Sequence, residues 1–180
     1  APNRGVGEPQ QAGPDPPGPA NLRRLADALL GVGQADQAVT AYQRALTGVH
    51  ADDPDVEVKL AEAQLDSGDA AAARATLEAL IARHPHYRSS RGHLIYACAL
   101  AALGEQAKAR DEFAIVIDNF AGLEARARYV GILSGWGAQD EAAALCRESL
   151  QRAERMPAHA RQLNAEWISQ LKRLQAGRAQ

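Results

Sequence analysis

From residue 20 onward, small and large apolar positions recur at helical spacing between short polar breaks. Four glycines punctuate the pattern: Gly33, Gly68, Gly104 and Gly137, separated by 35, 36 and 33 residues. Seven residues before each stands Ala26, Ala61, Ala97 or Val130, and five after each stands Ala38, Ala73, Ala109 or Ala142. Nine residues after come Tyr42, Leu77, Phe113 and Cys146, and thirteen after come Leu46, Ile81, Ile117 and Leu150, expected to face inward. A glycine past a helix end accepts the left-handed conformation without steric cost. A second helix that then crosses the first closely needs a small side chain at the crossing, hence the alanines. The pattern predicts paired helices over 20–32 and 35–49, 54–67 and 69–83, 90–103 and 105–119, and 122–136 and 138–155.

Prolines mark the breaks. Residues 1–19 hold six of the nine prolines and four of the fifteen glycines, and read as a linker or tail. Pro54, Pro85 and Pro157 fall between periodic segments, and Asp53-Pro54 with Asp55 and Glu57 reads as a capped helix start. Residues 158–175 form a ninth helix with Leu163, Trp167, Ile168, Leu171 and Leu174 in one stripe. That stripe is expected to close the end of the array, with Trp167 over the last hairpin near Trp136. The domain plan is a linker at 1–19, a repeat array at 20–156 and a cap at 157–180.

A small residue, a glycine, an alanine, a bulky residue and a break near position 32 of each unit resemble the tetratricopeptide repeat, in four copies. The resemblance implies an all-α, right-handed α-solenoid of four helical hairpins plus a capping helix, with each first helix lining a concave groove. By the family's positions that groove presents Arg23, Asp27 and Leu30, then Val58, Glu62 and Leu65, then Arg91, Leu94 and Cys98. The fourth repeat adds Ala127 and Gly131. Val58, Leu65 and Leu94 would supply apolar burial for a partner peptide, and Arg23, Asp27, Glu62 and Arg91 its register. Chaperone-binding members hold a C-terminal carboxylate with a lysine/asparagine clamp, and here Asp27 in the asparagine's place would repel one.

The stretches 42–55, 84–100 and 165–168 also resemble a bacterial group in which a membrane segment like that of phospholipase-D-type cardiolipin synthases precedes the repeats. That resemblance implies a cytoplasmic array tethered to the inner face of a membrane, with residues 1–19 as the linker. The chain opens at Ala1 rather than Met, which fits an upstream segment outside this sequence. Within it, no run approaches the ~18 apolar residues of a span.

Charge and composition narrow the function. The formal net charge of −2 disfavours nucleic acid, whose binders carry a basic face. Cys98 and Cys146 have no metal spacing and fall at small buried positions, so both read as reduced core thiols. His84, His86 and His93 cluster in sequence, but with no HExxH or paired-ligand spacing on one helix face they read as structural or surface side chains. His93 and Cys98 lie five residues apart, about 140° around a helix, too divergent for a nucleophile and its base. Gly5-Val6-Gly7 and Gly31-Val32-Gly33 lack the strand and third glycine of a dinucleotide site and read as loop glycines. Asp52-Asp53 and Asp140-Glu141 read as acids at helix starts. No catalytic residue, metal or cofactor is expected. The expected partner is a protein or peptide in the groove, with self-association through repeat 4 and the cap as the alternative. The proline-rich tail suggests a further occupant for the groove of a neighbouring copy.

Overall fold

The computed structural model describes residues 18–48 and 51–177. The linker over residues 1–17, with Gly5 and Gly7, falls outside the described residues, as do positions 49–50 and 178–180. Any placement of the tail in a neighbour's groove lies outside them too. Eight helices pair into hairpins: α1 (Pro19–Gly31) with α2 (Ala35–Ala45), α3 (Pro54–Asp66) with α4 (Ala70–Arg83), α5 (Ser90–Ala102) with α6 (Gln106–Asn119), and α7 (Glu124–Gly135) with α8 (Gln139–Glu154). A short α9 (Ala158–Leu163) leads to α10 (Ala165–Gly177), which packs on α7 and α8. There is no strand among the described residues.

The repeat glycines do the work the spacing assigns to them. Gly33, Gly68, Gly104 and Gly137 have φ of 77°, 90°, 78° and 77°. In each turn the amide after the glycine donates to a carbonyl five residues back, as Gln34 does to Leu29 at 2.9 Å and Asp69 to Gln64 at 2.8 Å. Each glycine amide itself donates three residues back, which completes a Schellman motif at all four hairpins. Three starts are capped by short side chains: Asp53 accepts from Asp55 and Val56, Asp69 from Ala72, and Ser89 from Gly92.

The small residues meet where the helices cross. Ala26, Ala61, Ala97 and Val130 are fully buried, as are Ala38, Ala73, Ala109 and Ala142. Tyr42, Leu77, Phe113 and Cys146 lie at most 5% exposed. The row expected thirteen residues past the glycines divides: Leu46, Ile117 and Leu150 pack partly against the core, whereas Ile81 is 48% exposed. Ile81 faces outward because no side chain of the next hairpin covers it.

Most boundaries fall within one residue of the sequence expectation, and three features depart further. Helix α2 ends at Ala45, short of position 49, because the chain turns through Thr47 and Gly48, the latter at φ 57°. Helix α7 starts at Glu124 rather than 122, since Gly122 holds φ 83°. The single C-terminal helix is interrupted at Asn164, and Leu163, expected within the capping stripe, is 72% exposed. Asn164 breaks the run because its side chain is used elsewhere: Oδ1 accepts Leu123 N–H at 2.8 Å and Nδ2 donates to Ala160 at 2.8 Å. The rest of the stripe does cap the array, with Leu171 fully buried and Trp167, Ile168 and Leu174 packed on the same core. The two indoles take separate arginines, Arg110 over Trp136 and Arg128 over Trp167.

Candidate functional site

Helices α1, α3, α5 and α7 project one row of charged side chains, and the row is paired from repeat to repeat. Asp27 on α1 accepts from Lys59 Nζ on α3 at 2.6 Å and from the Tyr42 hydroxyl at 2.7 Å. Glu62 on α3 takes both Nε and Nη2 of Arg91 on α5, a two-pronged contact suited to the planar guanidinium. The same Arg91 reaches Glu124 on α7 at 2.5 Å, and Arg128, one turn along α7, bonds Glu124 at 2.9 Å. The continuous chain Glu62–Arg91–Glu124–Arg128 therefore spans three hairpins.

The electrostatics follow from that pairing. Burial works against the charge on Arg91, but Glu62 and then Glu124 outweigh it and push its pKa up. Burial would likewise raise Asp27, yet the bonds from Lys59 and Tyr42 prevail and hold it below the usual carboxylate range. Asp66, further along α3, has the opposite balance. Its setting desolvates it, and with Glu62 and Glu124 close by its pKa stays raised despite the pull of Arg128 and Arg91. Asp66 is exposed and has no ion-pair partner among the described residues.

The predicted groove residues sort into two groups. Arg23, Asp27, Leu30, Glu62, Leu65 and Arg91 keep accessible surface, with Arg23 3.6 Å from Asp53. Val58, Leu94 and Cys98 are buried at 4%, 0% and 7% exposure, so as anchors for a partner they are corrected: they are core. The reason is geometric. The superhelix brings α3 against α5 and α5 against α7, and those contacts cover the positions the isolated pattern leaves open. Ala127 is buried as well, while Gly131 stays partly open.

Lys59, Glu124 and Arg128 were not among the expected residues. The signal was present in the repeat frame: Arg91 and Glu124 both stand thirteen residues before their turn glycine, with opposite charge in adjacent units. Lys59 and Arg128 both stand nine before theirs.

The residues weighed for chemistry do not converge. His84 pairs with Asp52 at 2.8 Å and His93 with Glu112 at 2.5 Å, on different hairpins. Cys98 sits in the core, where burial pushes its thiol up to about 11. Cys146 is buried too and donates to Leu171 O at 3.3 Å. Among the described residues no group of three His, Cys, Asp or Glu is arranged to hold a metal, and no helix is long and apolar enough to cross a membrane.

Comparison with known proteins agrees with the architecture. Residues 29–97 match the family model described as tetratricopeptide repeat. No curated protein sequence matches. Among solved structures, MamA AMB-1 in a P212121 crystal is 18% identical, with 85% of this chain and 90% of that one covered at a TM-score of 0.56. MamA MSR-1 is 16% identical, with 90% and 98% covered at 0.54. TTC0263, a thermophilic TPR protein in Thermus thermophilus, is 23% identical, with 83% and 98% covered at 0.49. These likenesses give no support to the narrower membrane-anchored group. Residues 29–97 thus resemble the tetratricopeptide repeat, and the chain shares an all-helical solenoid fold with the MamA structures.

Proposed function

We propose that the chain is a non-catalytic interaction scaffold that binds a peptide segment of a partner protein along the row formed by α1, α3, α5 and α7. The tetratricopeptide fold generally serves protein–protein interaction, and the row of charges spanning successive repeats is the observation that carries this reading here. Because Val58, Leu94 and Cys98 are buried, recognition on this face is more polar than the sequence suggests. Arg23, Leu30, Leu65 and Asp66 are the side chains left to meet a partner, while Asp27, Glu62 and Arg91 hold the frame. Asp66 is exposed and has no ion-pair partner among the described residues, so a cationic partner group can pair with its carboxylate.

The test is photocrosslinking with a benzophenone residue at position 30, against the same label at the exposed Ala144 of α8. A partner adduct at 30, absent at 144 and abolished when Asp66→Lys is added, is the expected result. Equal adducts at both positions, or an undiminished adduct with Asp66→Lys, would sink the assignment.

Self-association is the second reading. The stripe of α10 is spent on α7 and α8, which leaves Leu163 as the outward apolar side chain of the cap. Sedimentation of wild type and Leu163→Glu over a range of concentrations decides it, and a strict monomer at every concentration removes it.

A further inference from the structure

The junction between the second and third hairpins is built with less side-chain volume than its neighbours. Nine residues past the turn glycine, repeat 1 offers Tyr42 and repeat 3 offers Phe113 to the first helix of the next repeat. Tyr42 shares a core cluster with Val56 and Leu60 of α3. Phe113 stacks on Tyr129 of α7, with ring centroids 4.3 Å apart and planes within 7°. Repeat 2 has Leu77 in that place, and α5 brings Gly92 where α3 has Val56 and α7 has Ala125. An aromatic ring is missing from the series. A cleft of about 410 Å³ opens at this junction, walled by Val58, Leu77, Leu80 and Ile81 and by the rings of Tyr87 and Tyr96. The outward-facing Ile81 forms its lip.

Nearly all the polar groups around the cleft are already engaged within the protein. The Tyr87 hydroxyl donates to Asp55 at 2.7 Å and that of Tyr96 to Glu78 at 3.2 Å. Glu78 is paired with Arg74, and His93 with Glu112. Arg88 differs. Its Nη1 donates only to the carbonyls of Pro85 and Tyr87 in its own turn, and among the described residues it has no carboxylate partner. A visitor therefore meets an apolar slot of ring size, with one unneutralised guanidinium in its lining.

We propose that this cleft binds a peptide segment of a partner protein bearing a phenylalanine next to an aspartate or glutamate, the ring seated beside Leu77 and the carboxylate on Arg88. The volume lies within the roughly 300–1,000 Å³ of sites that enclose small ligands. A guanidinium–carboxylate bond is charge-assisted and directional, so it fixes the register of the ring. On α5, at about 100° per residue, Gly92, His93 and Tyr96 point some 100–200° away from Arg91, so the cleft lies off the charged row. It is a second site and stands whether or not that row binds a partner.

The probe is the capped tripeptide acetyl-Glu-Phe-Glu-amide, titrated into the isotope-labelled full chain and followed by NMR. The amides of Ile81, Gly92 and Tyr96 should shift and saturate, with an affinity on the order of millimolar for so small a fragment. Acetyl-Glu-Ala-Glu-amide should leave them unmoved, and acetyl-Gln-Phe-Gln-amide should bind at least threefold more weakly. Leu77→Phe, which places in repeat 2 the residue repeat 3 already carries, should weaken the probe at least tenfold. Ile81→Glu, on the exposed lip, should do the same without touching the core, and Arg88→Gln should erase the preference for Glu over Gln. Asp66→Lys should leave all of this unchanged, which separates this site from the charged row. No shift at those amides, equal binding of the Phe and Ala probes, or full affinity in both Leu77→Phe and Ile81→Glu would overturn the proposal. Phenylacetate binding as tightly as the tripeptide would assign the cleft to a free aromatic acid and overturn it as well.

Discussion

Asn164 accepts the backbone N–H of Leu123 through its side-chain oxygen at 2.8 Å, across 41 residues of sequence. This one bond ties the capping segment to the start of the fourth hairpin, and it explains why a helix expected to be continuous is broken there. Gly122 completes the arrangement: a Cβ on it would lie 2.7 Å from Asn164 Oδ1, and its φ of 83° already disfavours any side chain.

Asn164→Ala should therefore destabilise the fold by about 1–3 kcal/mol, the range for losing a hydrogen bond and stranding its donor. Gly122→Ala should cost a similar amount or more, through about 1–3 kcal/mol of backbone strain together with displacement of Asn164. Urea denaturation checks both, and hydrogen exchange should show the amides of α10 opening first.

The crossing alanines make a sharper contrast. Ala109 is fully buried between α5 and α6, while Ala107, two residues earlier on the same helix, is exposed. Ala109→Leu should cost about 1–3 kcal/mol or more by overpacking. Ala107→Leu should change stability by no more than about 0.5 kcal/mol. Equal midpoints in chemical denaturation would remove the crossing alanines from the account of the fold.

Two aspartates should give opposite pH signatures. Burial opposes ionisation of Asp27, but Lys59 and Tyr42 prevail and set its folded pKa below the ordinary 3.8. Its contribution is therefore present above 3.8 and is lost as pH falls through the lower folded value. Asp66 is raised, chiefly by desolvation, so its ionised form weakens the fold above that raised pKa and the penalty fades on acidification. At pH 7 Asp27→Asn should destabilise. Asp66→Asn should instead stabilise by a few tenths of a kcal/mol, since an exposed group is partly screened. Stability measured from pH 7 down to pH 2 reads both signs.

Thiol chemistry offers an independent check on burial. Cys98 is 7% exposed with its thiol pushed up to about 11 by burial, and Cys146 is fully buried with its sulfur bonded to Leu171 O. Both should resist Ellman's reagent in the native protein and react in urea, because the thiolate is the reactive form. Rapid labelling of the native chain would show that the C-terminal core opens.

The sequence by itself determined the local rules. A glycine at each repeat turn, an alanine five residues on and a bulky residue nine on specify hairpins of fixed crossing, because each demand is met within one unit of about 34 residues. The positions of Gly33, Ala38 and Tyr42 are enough to place α1 against α2. Only the tertiary structure decided what the superhelix does to those positions once hairpins stack. It buried Val58 and Leu94 between successive first helices, joined Glu62 to Arg91 and Glu124, and left Ile81 uncovered where Leu77 stands in place of a ring. Burial and ion pairing across repeats depend on the rotation between units, and no single repeat encodes that angle.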